Sequence, residues 1–267
     1  MDELFGFDPV DGRLVPADEL GAVDVMDSWL VTDGRVRGRD LHEIRFTASV
    51  LARHPASGSA VAEFLAEAHP LVPSTGRWFP RIECSRDGEL GLRVRRMPQV
   101  LTTARIWTAT LPDPRSEPTI KGPDQRQLTE LRQIAAHFGA DEALLTDSDG
   151  YVLEGAFSSI GWWRGETLCF PRPDAPILPG VTRRLLETVA GSFGVAVEYE
   201  RVRPDDLVGL PIWVLSSLHG IREAVRWTGH PDPPPACRSR EVWQRALDEL
   251  ATTIEHLTPD TGDIQHA

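Results

Sequence analysis

The sequence predicts an α+β fold in two subdomains, and three observations lead there. Some segments space their apolar residues at helical intervals, while others form short apolar runs bounded by glycine turns. A stretch with three prolines, LPDPRSEP at 111–118, separates two such mixed blocks. Hydrophobic residues make up 41% of the 267 residues and charged residues 25%, the balance of a globular chain long enough for an ample core. The expected division is a small N-terminal α/β subdomain at 1–110, a linker at 111–118 and a larger C-terminal subdomain at 119–267.

In the first block, VDVMDSWLV and GRVRG flank a Thr-Asp-Gly turn, which predicts a hairpin. RDLHEIRFTASVLARH gives Leu41, Ile44, Ala48, Val50 and Leu51 helical spacing, and SAVAEFLAEA provides a second helix. RWFPRIECS and LGLRVRR bracket Arg-Asp-Gly-Glu, a further hairpin. The second block opens with a helix over 123–138, with Pro123 in its first turn, where proline is tolerated. EALLTDSDGYVLEG turns at Ser-Asp-Gly and SSIGWWRGETLCFP at Arg-Gly-Glu, so two more hairpins follow. ILPGVTRRLLETVAGSFG is a turn opening a helix, and VAVEYERV and PIWVLSS read as strands. A last helix is expected over 239–257, with the polar final ten residues frayed.

Composition also excludes partners. A net charge of −12 argues against a nucleic-acid backbone, because nothing offsets the repulsion between phosphates and the chain. No window of 18 apolar residues exists, so no membrane span is expected. The acidic start MDELFGFDPVDGRL lacks the basic-then-apolar layout of a secretory signal, and Cys84, Cys169 and Cys237 are odd in number and far apart. A cytoplasmic protein with reduced thiols is the expectation. DSDGYVLEG echoes an Asp-x-Asp-Gly calcium loop but lacks the remaining ligands, and His42, His137 and His219 are too far apart in sequence to argue for a site, so no metal is expected. The eight tryptophans suggest packing.

Lys121 is the only lysine among 28 Lys plus Arg. An amine can lose its proton and attack a carbonyl, which a guanidinium cannot, so a drift towards arginine would spare a lysine needed for a Schiff base. Chance survival on a linker is the plainer reading. In ILPGVTRRLL, a Pro-Gly turn leads to Thr182 at a helix start, where free N–H groups and the helix dipole suit a phosphate; an ordinary threonine cap is the alternative. Glu154 heads an apolar strand, where its carboxylate could keep a heterocyclic nitrogen protonated or simply face solvent. Lysine amine, carboxylate and helix-end anion site together point to pyridoxal 5'-phosphate (PLP).

The ordered set, from Lys121 through GADEALLTDSDGYVLEGAFSSI to ILPGVTRR, resembles the class IV aminotransferases, the fold-type IV PLP enzymes. Earlier LHEIRF resembles that family's His-x-x-Arg-[Leu/Phe] segment, and VLSSLHGIREAV the strand and loop that finish its phosphate site. The resemblance implies a pseudo-barrel C-terminal subdomain and a homodimer. It makes Lys121 the Schiff-base lysine and catalytic residue, and Glu154 the partner of the pyridine nitrogen. Arg45, Thr182, the Val181 and Thr182 amides and Ser217 would hold the phosphate, with Leu178 packed on the ring. The chain departs from the pattern at Ser159, where asparagine is usual, at Gly161, where an aromatic residue is usual, and at Phe170, where threonine is common. It also lacks the tyrosine that many family aminotransferases carry just after the lysine, having GPDQRQ there; the lyases of the family lack that tyrosine too but have Asn-Arg nearby, where this chain has Asp124 and Gln125. The implied activity is amino transfer between an amino acid and a 2-oxo acid. Alternatives are a 4-amino-4-deoxychorismate lyase, which releases pyruvate to give 4-aminobenzoate, and a PLP-fold protein that binds without turnover.

Overall fold

A computed structural model describes residues 2–253. The chain begins with β1 (Glu3–Asp8) and β2 (Arg13–Pro16), a hairpin with no counterpart in the sequence reading. After β3 (Val23–Ser28), β4 (Val31–Thr32) and β5 (Arg35–Arg37) form the expected tight hairpin, with Asp33 and Gly34 both at positive φ (46° and 71°), the geometry that matches strand twist. Helices α1 (Arg39–Arg53) and α2 (Gly58–Leu71) follow, then β6 (Arg77–Trp78), β7 (Arg81–Ser85) and β8 (Leu90–Val94). An antiparallel sheet in the order β2-β1-β8-β7-β3 packs its apolar face on α1 and α2, burying Phe46, Val50 and Phe64 against Ile82 and Leu92.

The buried stripe of α1 differs from the expected face. His42, Phe46, Ser49 and Val50 point inward, whereas Ile44 is 62% exposed. A polar pair explains the rotation. His42 Nδ1 lies 2.8 Å from the Asp27 carboxylate, so a histidine can sit where an apolar residue would be expected.

A second sheet contains β9 (Thr103–Thr108), β10 (Glu142–Thr146), β11 (Val152–Gly155), β12 (Ser159–Arg164), β13 (Thr167–Pro171), β14 (Val197–Glu200), β15 (Ile212–Ser216) and β16 (Gly220–Thr228). Its order is β11-β10-β9-β16-β15-β12-β13-β14, and it curls into a half-barrel. Strand β9 precedes the proline-rich segment yet lies inside this sheet, parallel to β10 and β16, so the two large sheets part company upstream of Thr103. Helix α3 (Gln125–His137) covers one region, and α4 (Val181–Ser192) and α5 (Arg240–Glu249) another. Adjacent Trp162 and Trp163 point to opposite faces, as strand alternation requires. Trp162 fills the core with Ile160 and Val214. Trp163 meets Trp213 and Trp243 edge to face, with centroids 5.1 and 5.2 Å away, under α4 and α5.

The last helix is shorter than the sequence suggested. α5 ends at Glu249, and β17 (Ala251–Thr253) joins β5 in the sheet β17-β5-β4-β6. Two β-branched threonines and the open edge of β5 favour a strand there. The remainder of the expected helix and the tail beyond it lie outside the described residues.

Candidate active site

Lys121 sits between β9 and α3, in a stretch tied down on both sides. The Met26 N–H on β3 donates to the Lys121 carbonyl at 2.7 Å. Buried Asp124 accepts from the Ser116 N–H, the Ser116 hydroxyl and the Glu117 N–H at 3.0, 2.9 and 2.8 Å, closing the loop around the lysine. Gly122, at φ 144°, passes so close to β3 that a Cβ would lie 2.5 Å from the Asp24 carbonyl oxygen. The backbone at Lys121 is therefore fixed while its amine faces a cleft. Burial lowers the amine's pKa, and the nearby Arg45 charge lowers it further.

The same cleft receives the other residues named from sequence. Arg45, on α1, holds Asp27 bidentately through Nε and Nη2 (2.9 and 2.8 Å) and donates from Nη1 to the Pro179 carbonyl. Burial opposes ionisation of Asp27, but the charges of Arg45 and His42 outweigh it and hold the carboxyl well below its ordinary range. Val181 and Thr182 form the first turn of α4, which Gly180 opens with no side-chain cap. Ser217, just past β15, donates from Oγ to the Ser28 carbonyl at 2.9 Å. Leu178 lines the cleft beside Glu154, and its N–H donates to Glu154 Oε1 at 2.8 Å.

Glu154 is 4% exposed at the end of β11. Its Oε1 accepts from Leu178 and from Arg115 Nη1 at 2.7 Å; Oε2 has no protein partner among the described residues. Arg115 in turn grips Asp113 through Nε and Nη2. Sequence reading missed Arg115, Asp113 and Asp27. The available signal was an Asp-Pro-Arg triplet inside the segment read as a linker, with the acid and base two residues apart. Burial raises the Glu154 pKa, with Arg115 as the largest opposing influence.

The departures at β12 and β13 compensate one another. A Cβ on Gly161 would lie 2.7 Å from a Phe170 ring carbon, so Phe170 occupies the space that a side chain at 161 would need. Ser159 packs against Gly180 at the mouth of α4, where a Cβ on Gly180 would lie 2.2 Å from the serine Oγ. Neither tyrosine lines the cleft: Tyr151 lies under the guanidinium of Arg201 at 3.8 Å, and Tyr199 is exposed on β14. In the Ser-Asp-Gly turn, Asp147 accepts the Asp149 and Tyr151 N–H groups, and Arg201 pairs with both acids.

These surroundings fit PLP. The uncapped first turn of α4, the Thr182 hydroxyl and the remaining Nη1 donor of Arg45 are suited to an anion at one end. A buried carboxylate with one unpartnered oxygen lies elsewhere on the wall, suited to a protonated ring nitrogen, and the amine faces the same space.

Comparison with known proteins gives the family. The family model for amino-transferase class IV matches residues 24–227, and the chain belongs to that family. A bifunctional aminodeoxychorismate lyase / D-amino acid transaminase of Mycobacterium tuberculosis is 37% identical over 92 residues, 32% of each protein. A probable branched-chain-amino-acid aminotransferase of Rickettsia felis is 27% identical over 101 residues, 38% of this chain. The matched parts span about a third of these relatives' own length, 32% and 34%. Solved structures extend the likeness to the whole fold. A branched-chain aminotransferase from the thermophilic archaeon Thermoproteus uzoniensis, solved with norvaline, superposes with a TM-score of 0.77 at 15% identity, over 95% of this chain and 99% of that one. A PLP-bound hypothetical aminotransferase from Mycobacterium tuberculosis gives 0.72 at 21% identity, over 94% and 98%.

Proposed function

We propose that the chain is a PLP-dependent aminotransferase that moves an amino group between an amino acid and a 2-oxo acid. The observation that carries this reading is the single lysine amine, facing one cleft with an unpartnered carboxylate oxygen and an uncapped helix start. PLP supplies, when bound, an electrophilic carbon for the substrate amine and an electron sink for charge left on the substrate carbon. The first turn of α4, Thr182, Arg45 and Ser217 would hold its phosphate, and Leu178 would pack on its ring. With PLP bound, the Glu154 carboxylate would face the ring nitrogen and favour its protonated form. Lys121, whose lowered pKa leaves more of the amine neutral, takes and returns the proton at the substrate α-carbon. Asp27 and Asp124 act through others: one aims Arg45, the other fixes the lysine loop.

In this reading two subdomains, which part upstream of β9 rather than at the 111–118 segment expected from the sequence, close on the cofactor, and a second copy of the chain helps to close the site. The protein works in the cytoplasm on small amino and oxo acids. No described helix is long and apolar enough to cross a membrane.

The absence of a tyrosine from the cleft wall favours one second reading, an aminodeoxychorismate lyase. The deciding experiment adds PLP to purified protein, reduces with borohydride and maps the label. Phosphopyridoxyl on Lys121, lost in Lys121→Arg with the fold intact, supports the reading; a label elsewhere or none sinks it. Conversion of bound PLP to pyridoxamine phosphate by an amino acid then supports transamination, and pyruvate release from aminodeoxychorismate without net amine transfer supports the lyase. Inertness towards both leaves a binding protein.

A further inference from the structure

The turn between β15 and β16, which carries Ser217, is braced from three directions. The Ser217 hydroxyl is tied to the Ser28 carbonyl of β3. From β5, Arg37 donates from Nη2 to the Ser217 carbonyl at 2.9 Å. From α5, Gln244 Oε1 accepts the Ile221 N–H, just past the turn, at 2.9 Å. Asp248, four residues further along α5, gathers the last two. Its Oδ1 accepts from Arg37 Nη1 at 3.1 Å and from Gln244 Nε2 at 2.8 Å. Gly220, at φ 67°, lets the turn come this close, since a Cβ there would run into Gln244 Oε1 and lie 2.7 Å from Arg37 Nη1.

Arg37 is an expensive choice for this place. Its side chain is 10% exposed, whereas Asp248, the one carboxylate paired with it among the described residues, is 57% exposed. Solvent screens such a pair, so it returns little stability. Burial lowers the Arg37 pKa, with Asp248 as the largest opposing influence. An apolar side chain would fill the space at lower cost. What the guanidinium adds is direction. Its planar fork fixes two acceptors at once, the Ser217 carbonyl and the Asp248 carboxylate, and so fixes the turn relative to α5.

The C-terminal segment closes the brace. Helix α5 runs into β17, and Ala251 of β17 stands opposite Arg37 in the ladder with β5. Both α5 and β17 lie beyond residue 227, where the family match ends.

We propose that Arg37, aimed by Asp248 and Gln244, is a positioning residue for phosphate binding: it holds the Ser217 turn where that turn meets the phosphate of PLP. The proposal rests on the aminotransferase reading, which puts the phosphate at Ser217. Arg37 is not part of the cleft wall and acts only through the Ser217 backbone. Loosening the turn costs the phosphate a contact. It leaves Lys121 in place, because Met26 and Asp124 hold the lysine loop separately. The effect is therefore confined to ligands that carry a phosphate.

The test compares PLP with pyridoxal, the same aldehyde without its phosphate, by equilibrium titration followed in absorbance. The wild type should prefer PLP. In Arg37→Met that preference should fall roughly tenfold, the scale of one charged hydrogen bond, while pyridoxal affinity stays unchanged. Asp248→Ala, at an exposed position that spares the fold, should lower the preference in the same direction. Asp248→Asn keeps an acceptor for Arg37 and Gln244 and should restore most of it. Should Arg37→Met fail to fold, the two Asp248 variants decide. A preference unchanged by Arg37→Met or, failing that variant, by Asp248→Ala overturns the proposal. So does a loss that falls equally on PLP and pyridoxal, which a merely structural role would give. A wild type that binds no PLP, or binds both compounds alike, strikes the phosphate site of the aminotransferase reading itself, and the proposal falls with it.

Discussion

At the scale of single residues, burial and one arginine pull Glu154 in opposite directions. Arg115 is the only cation hydrogen-bonded to it among the described residues, and both side chains are 5% exposed. Arg115→Met should therefore be costly, by about 3–5 kcal/mol, because it leaves a buried carboxylate without its partner. The loss should also depend on pH. The folded pKa of Glu154 lies above its unfolded value, so its contribution is fully present at low pH and is lost as pH rises through the folded pKa. Removing Arg115 moves that folded pKa higher still, so the stability gap between variant and wild type should widen as pH rises through the wild-type folded pKa, which lies above the ordinary carboxylate value. Urea midpoints across pH 4–8 check this, and a gap that narrows with rising pH would refute it. Adding Glu154→Gln should recover part of the loss. Lys121 offers a second check. In the apo protein its acylation rate should titrate with a midpoint below the ordinary ~10.4, with Lys121→Arg as the blank. Lys121 was legible because composition isolates it. Arg115 was not, because prolines made its segment read as a linker. Nor was Asp27, which meets Arg45 across 18 residues of sequence.

Among elements, those with a strong local signal were legible. The β4–β5, β7–β8, β10–β11 and β12–β13 hairpins and helices α1 to α4 stand where their turns and apolar spacing indicated. The rest needed tertiary context. Strands β9 and β16 are joined in parallel across more than a hundred residues, and β17 forms only because β5 offers an edge. The face of α1 was misjudged because a buried hydrogen bond between His42 and Asp27, not hydrophobicity, set its rotation. Packing between β12 and β13 yields a further prediction. Gly161→Phe should destabilise by about 1–3 kcal/mol or more through overpacking, and Phe170→Thr in the same chain should restore most of that. Thermal melts of the two single variants and the double variant test it; purely additive losses would mean that the two positions do not share one space.

For the whole molecule, the proposed site lies where the chain folds back on itself. Lys121 is bonded to β3 of the first sheet, while Glu154 lies on β11 of the second and Ser217 just past its β15. Relative movement of the sheets would thus alter the cleft, and a second copy closing over it would restrain that movement. Sedimentation of the PLP-loaded protein at micromolar concentration should show a dimer; a monomer with PLP bound would contradict the shared-site proposal.

The tethered loop around a solitary lysine also makes the molecule its own proteolytic clock. A lysine-specific protease has one peptide bond to cut, between Lys121 and Gly122, and success would divide the chain into two pieces of nearly equal size. That bond is held against β3 by the Met26 N–H and enclosed by the Asp124 clasp, so cutting requires the loop to peel away first. At protease concentrations where reclosure outruns cleavage, the cutting rate reports how often this one loop opens. Any small molecule that fills the cleft and spans its two walls would slow the clock, whatever its spectrum and whether or not it reacts.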